Sequence, residues 1–121
     1  TNKIITFLGV TFKPNTDDMR EASSISMIKY LNKKKCKIRY YDPSGEKNEF
    51  KNLKNVNYYE DLRNACLNSD LIILHTEWNE FKSLNFKKLV KKRNFKVYDM
   101  RNLYSPDKMR KSNIKYFGVG R

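Results

Sequence analysis

The sequence predicts one α/β domain, an open parallel sheet with helices on both faces. Three observations carry this. Short apolar runs rich in β-branched and aromatic residues alternate with stretches of helical period along the chain. No repeat or low-complexity tract interrupts the alternation, and 121 residues suffice for one core, so residues 1–121 are read as a single domain.

The strands are expected at residues 3–8, 37–41, 70–75, 95–99 and 114–117, with a weaker one at 55–58. The first helix, residues 24–34, is marked by Ile25, Ile28 and Leu31 with Met27 between them. The second, residues 59–67, places Tyr58, Leu62, Ala65 and Cys66 on one stripe, and Phe86, Leu89 and Val90 mark a third. A short fourth at 106–111 has Ser105 as its N-cap and Pro106 at its first position.

The formal charge of +13 raises nucleic acid as a partner. Composition argues otherwise: lysine far outnumbers arginine, asparagine and isoleucine are frequent, and Ala22 and Ala65 are the only alanines. Such a bias spreads lysine over solvated faces, and the runs "NKKKCK" and "KKLVKKR" fall where helix ends welcome cations. A basic nucleic-acid-binding module is the weaker alternative, supported by charge alone. No apolar run approaches the ~20 residues of a membrane span, and "TNKIITFLGV" lacks the order of a signal peptide. The expectation is a cytoplasmic protein with neither a membrane nor a nucleic-acid partner. A start at Thr1, almost directly in a strand, predicts a piece of a longer protein.

Cys36 shares parity with Ile38 and Tyr40, so both cysteines read as core thiols rather than a disulfide or a nucleophile. His75, the only histidine, closes an apolar strand, where a structural role is expected; a metal site has no second ligand.

In such sheets ligands bind beyond the carboxyl ends of the strands. The segments there are "GVTFKPNTDDMRE", "DPSGEK", "TEWNEF" and "DMRNLYSPD". Lys13, Arg20 and Arg101 should gather on that edge, where cations near helix starts suit a diphosphate. The first segment has one glycine, Gly9, so neither the three-glycine dinucleotide fingerprint nor a P-loop is written there. Pro14 stiffens the backbone after Lys13, which predicts a rigid, side-chain-driven loop. Asp17 and Asp18, bracketed by Lys13 and Arg20, read as ion-pair partners that shape the loop. Asp42 stands where a ribose-binding acid sits in dinucleotide folds and equally opens an Asp-Pro turn; both readings are open. Trp78 reads as a loop anchor.

In order and spacing, "LGVTFKPNTDDMREASS", "YYDP", "HTEWNEF" and "VYDMRNLY" resemble the C-terminal, UDP-sugar-binding domain of the UDP-glucose 6-dehydrogenase (UDP-glucose/GDP-mannose dehydrogenase) family. The resemblance covers essentially the whole chain and implies a Rossmann-like fold. It further implies part of an enzyme that oxidises UDP-glucose to UDP-glucuronate by two hydride transfers to NAD. The nucleophilic cysteine and most of the NAD site would lie in N-terminal and central domains of the same chain, leaving this segment inactive alone. By matched position, Phe12 and Lys13 would contact the substrate, with Lys13 near the reacting sugar. Arg101 would hold the UDP-sugar, and Arg20 would reach NAD phosphate across a cleft. The resemblance also implies a homo-oligomer. A domain of a GDP-mannose or UDP-N-acetylmannosamine dehydrogenase is the nearest alternative. Ser23 stands where many relatives have proline and is expected to cap the first helix.

Overall fold

The computed structural model describes residues 2–120. Six strands form one all-parallel sheet: β1 (Ile4–Leu8), β2 (Lys37–Tyr41), β3 (Val56–Tyr58), β4 (Leu71–Leu74), β5 (Lys96–Asp99) and β6 (Lys115–Gly118), in the order β3-β2-β1-β4-β5-β6. The order reverses between β1 and β4. Their connections therefore diverge from a switch point, the place where open sheets of this kind leave room for ligands.

Parity along the strands divides the core in two. Ile5, Phe7, Ile38 and Tyr40 face α1 (Ser23–Lys33) and bury Ile28 from it. Leu8, Ile72, Leu74, Val97 and Tyr116 face the other way, against Cys66 of α2 (Leu62–Cys66), Phe86 and Val90 of α3 (Phe86–Val90), and Met109 of α4 (Pro106–Lys111). The central strands are thus apolar on both faces, as parallel sheets demand.

The helices start largely as their caps dictate. Ser105 accepts from Lys108 N with Pro106 in the first turn, as expected from sequence, and Asn85 caps α3 in the same way. Asp61 accepts from Arg63 N, so α2 begins at Leu62 rather than at residue 59. The expected cap on α1 is not made. Ala22 occupies that position with no side-chain hydrogen bond, and Ser23 is already the first helical residue, its hydroxyl directed elsewhere. Among the described residues no helix is long and apolar enough to cross a membrane. Both cysteines are buried thiols, as their pattern predicts.

Beyond β1 the chain turns at Gly9, whose φ of +81° is costly for residues with a Cβ. A Cβ there would stand 2.5 Å from Thr76 Cβ and 3.1 Å from Thr76 N, so the loops leaving β1 and β4 touch through this gap. Gly9→Ala combines left-handed strain with a clash against backbone. Chemical denaturation should show a loss of roughly 2–5 kcal/mol, and a loss under 1 kcal/mol would mean that the two loops separate easily.

Candidate functional site

Because all six strands are parallel, the four segments singled out from the sequence do emerge on one edge of the sheet. The first is closed on itself: Phe12 N donates to Asp18 O at 3.0 Å, and Thr11 Oγ1 to Lys13 O at 3.0 Å. Val10 N donates to Asp42 Oδ2 and Ser24 Oγ to Val10 O, which fastens the loop to β2 and α1. Phe12 is left 41% exposed for a residue that would otherwise be buried. Phe12, Lys13, Asp18, Arg20 and Glu21 line an open depression of about 470 Å³.

Within it, Arg20 Nε donates to Asp18 Oδ1 at 3.0 Å and its terminal nitrogen to Oδ2 at 2.9 Å, while Arg20 N also reaches Oδ1 at 2.9 Å. These bonds, with the Lys13 charge contributing less, hold the Asp18 carboxyl at about 2. The ion-pair reading of Asp18 therefore stands. The guanidinium is oriented but remains 89% exposed, with donors still open to solvent. Asp17 lies instead by Ser44, Glu46 and Lys47, lining a neighbouring hollow with Asp18.

Arg101 is positioned separately and is not among the residues lining the depression that Lys13 and Arg20 share. Its Nε donates to the His75 carbonyl at 2.9 Å and its own N–H to Asp99 Oδ1 at 3.2 Å, so it is pinned at the carboxyl end of β5 beside β4. Asp42 proves to be a turn former: Oδ1 takes Ser44 N and Ser44 Oγ while Oδ2 takes Val10 N, and the residue is buried. Trp78 packs against the second core, with its Nε1 buried and without a hydrogen-bond partner, as suits a loop anchor.

Two features escaped the sequence reading. Lys47 is buried, its ammonium on Ser44 Oγ, which passes the charge on to Asp42. The second is centred on His75, fully buried directly beyond β4. Thr76 Oγ1 donates its single proton to Thr11 O at 2.9 Å, so it must accept from His75 Nδ1 at 3.0 Å. The imidazole is then the Nδ1–H tautomer, and Nε2 accepts from Ser23 Oγ at 2.9 Å. Burial, reinforced by the Arg101 charge, pulls the His75 pKa down to about 4. A polar His-Thr pair directly after an apolar strand at the switch point is the sequence signal for this chain of bonds.

Residues 6–106 match the model of the UDP-glucose/GDP-mannose dehydrogenase family, UDP binding domain. The chain belongs to this family, as its C-terminal UDP-binding domain. It is 37% identical over 120 residues to a UDP-glucose 6-dehydrogenase of Rhizobium meliloti, covering 97% of this chain and 27% of that protein. It is 38% identical over 121 residues to one of Rickettsia felis, covering 98% of this chain and 27% of that protein. The chain thus spans about a quarter of the length of the curated relatives it matches. Among solved structures it resembles a UDP-glucose dehydrogenase from Pyrobaculum islandicum, with a TM-score of 0.74 at 27% identity over 98% of this chain and 25% of that one. A UDP-D-ManNAc dehydrogenase from Pyrococcus horikoshii gives 0.75 at 26% identity over 99% and 26%.

The His75 geometry fixes a pH dependence. With a folded pKa near 4 against 6.5 when unfolded, the neutral ring contributes fully above pH 6.5, and stability falls as pH drops from there toward 4. The loss should total roughly 3 kcal/mol below pH 4. In His75→Gln, which cannot titrate, denaturation midpoints should fall less over that window; parallel curves for both proteins would show that His75 takes no part.

Proposed function

We propose that this chain is the nucleotide-sugar-binding part of an NAD-dependent UDP-glucose 6-dehydrogenase, which oxidises UDP-glucose to UDP-glucuronate. The observation that carries the proposal is the closed loop of residues 9–22, which offers Phe12 and Lys13 at the carboxyl edge of a sheet belonging to the UDP-binding family. Several relatives of matching sequence bear the name of that enzyme. Lys13 supplies a mobile cation for the reacting end of the sugar, and Phe12 an apolar surface beside it. Arg101, held by the His75 carbonyl, is a fixed cation for the UDP-sugar. Arg20, oriented by Asp18, faces outward, where an NAD phosphate held mainly by another domain of the same longer chain would reach it.

The catalytic nucleophile is assigned to that other part of the protein. Burial pushes the Cys66 thiol up to about 12, a poor nucleophile at neutral pH, and Cys36 is buried just before β2. NAD, when bound, accepts the hydrides; the residues here bind and orient the sugar nucleotide. We further assign the longer enzyme to the cytoplasm and to a homo-oligomeric state.

Titration calorimetry of the chain with UDP-glucose, GDP-mannose and UDP-N-acetylmannosamine tests the assignment, with UDP-glucose expected to bind most tightly. Lys13→Ala and Arg101→Ala should each weaken it roughly ten- to a hundredfold, the worth of one charge-assisted hydrogen bond. Lys29→Ala and Lys88→Ala should leave it within about twofold. Equal losses from all four would point to general basicity, and tighter binding of GDP-mannose would transfer the chain to that branch of the family. In the longer enzyme Arg20→Ala should raise the Michaelis constant for NAD while sparing that for UDP-glucose.

A further inference from the structure

The charge is segregated. Parallel register brings the first residues of neighbouring strands close together at one edge: Ile4 pairs with Lys37, Ile5 with Leu71, Leu71 with Lys96, and Lys96 with Lys115. Lys37 N donates to Lys3 O, and Lys96 N to Asp70 O. The amino edge of the sheet therefore reads Lys37, Lys3, Asp70, Lys96, Lys115 in spatial order, at the ~4.8 Å pitch of neighbouring strands. The chain returns to this same edge after α1, α3 and α4, bringing three further exposed runs: Lys33 to Lys35, Lys91 to Arg93, and Arg110 with Lys111. Asp70 is the one acidic residue here, and it is already engaged by Lys92 and by Ile4 N. Among the described residues every other carboxylate stands at or beyond the carboxyl end of a strand, or in the first turn of a helix.

Helix dipoles explain cations that follow α1, α3 and α4. They do not explain the strand-start lysines, since Lys96 and Lys115 are direct cross-strand neighbours and like charges so placed repel. Drift over solvated faces would not leave one edge almost free of carboxylates either. An anionic partner covering such an edge relieves that repulsion.

We propose that the amino edge of the sheet is a docking surface for a bilayer rich in anionic lipid. The cations lie within two residues of one another along the strand direction and spread across the width of the sheet, which suits a broad anionic surface. Most are lysines, compact point charges without the planar fork that reads base edges. Tyr30, exposed near the end of α1, carries the Lys34 ammonium over its ring at 5.5 Å, a further cation on this edge. Between Lys3, Lys96 and Lys115 opens a cavity of about 400 Å³ lined also by Ile5, Leu71 and Asp70, the last engaged by Lys92, with room for a lipid headgroup. Contact is peripheral and salt-sensitive, and it turns the loops of the carboxyl edge toward the cytosolic side of the bilayer.

Vesicle co-sedimentation tests this in the intact chain. Vesicles with about 30% phosphatidylglycerol should retain it at low salt, pure phosphatidylcholine vesicles should not, and about 0.5 M sodium chloride should release it. Replacing Lys3, Lys37, Lys96 and Lys115 together by Gln should weaken retention at least about tenfold. The same charge removed at Lys29, Lys51, Lys82 and Lys87 should change it less than about twofold. Circular dichroism checks that each variant folds; if the first does not, arginine at the same four positions should restore both fold and retention. Equal losses from the two sets, no retention of the unmodified chain, or displacement by duplex DNA at lower phosphate concentration than by phosphatidylglycerol vesicles would overturn the proposal, the last in favour of a nucleic acid.

Discussion

The contact between Gly9 and Thr76 organises the carboxyl edge of this sheet. At the switch point of a dinucleotide fold the gap between the diverging loops admits a pyrophosphate, and glycines keep the backbone clear of it. Here Thr76 fills that gap: its Cβ lies only 2.5 Å from where a Cβ on residue 9 would be, and its hydroxyl donates to Thr11 O. What this edge presents to solvent instead is the exposed side chains of Phe12, Lys13, Arg20 and Arg101. A single glycine in the first loop is consistent with that geometry, since the gap that further glycines would keep clear is already filled.

Two buried carboxylates extend the same order sideways. Asp42, just past β2, collects Val10 N, Ser44 N and Ser44 Oγ. Asp99, the last residue of β5, collects Arg101 N, Tyr104 N and the Tyr116 hydroxyl at 2.7 Å. Each carboxylate satisfies loop donors that would otherwise be stranded where strands end, and each draws a neighbouring loop onto the sheet. Tyr104 continues the chain by donating to Phe81 O and accepting from Leu84 N, which ties the β5 loop to the segment after β4.

The strands and most helix starts were legible because they rest on local signals: period, parity, and caps such as Ser105 with Pro106. Sheet class followed from alternation. Ser23 misled because a serine at a helix start is ordinarily a cap; the tertiary bond to His75 outcompeted the local one, and Ala22 took the cap position. Asp42 stayed ambiguous until Val10 N was seen on it, a partner 32 residues away in sequence. The Asp99–Tyr116 bond and the buried ammonium of Lys47 likewise depend on which strands become neighbours, and no single-sequence pattern carries that. Charge shows the same limit: composition gives a total, whereas only strand order and register bring Lys37, Lys3, Lys96 and Lys115 to one edge of the sheet.

The cations at the carboxyl edge illustrate why few can suffice. An arginine free to sample its rotamers gives up conformational entropy when a ligand fixes it. Arg101 has given up much of it before any ligand arrives, because its Nε is already held by the His75 carbonyl. His75 in turn is held between Ser23 and Thr76, so the guanidinium inherits the rigidity of α1, β4 and the first loop together. Arg20 is prepared by a different device, an adjacent carboxylate that aligns it while leaving it in solvent. Lys13 has no such brace among the described hydrogen bonds; its backbone carbonyl is fixed by Thr11 while the side chain is exposed. The three differ as their proposed tasks do: a rigid cation for a ligand group that stays put, an oriented one for a partner arriving from outside, and a mobile one where the bound sugar changes during reaction.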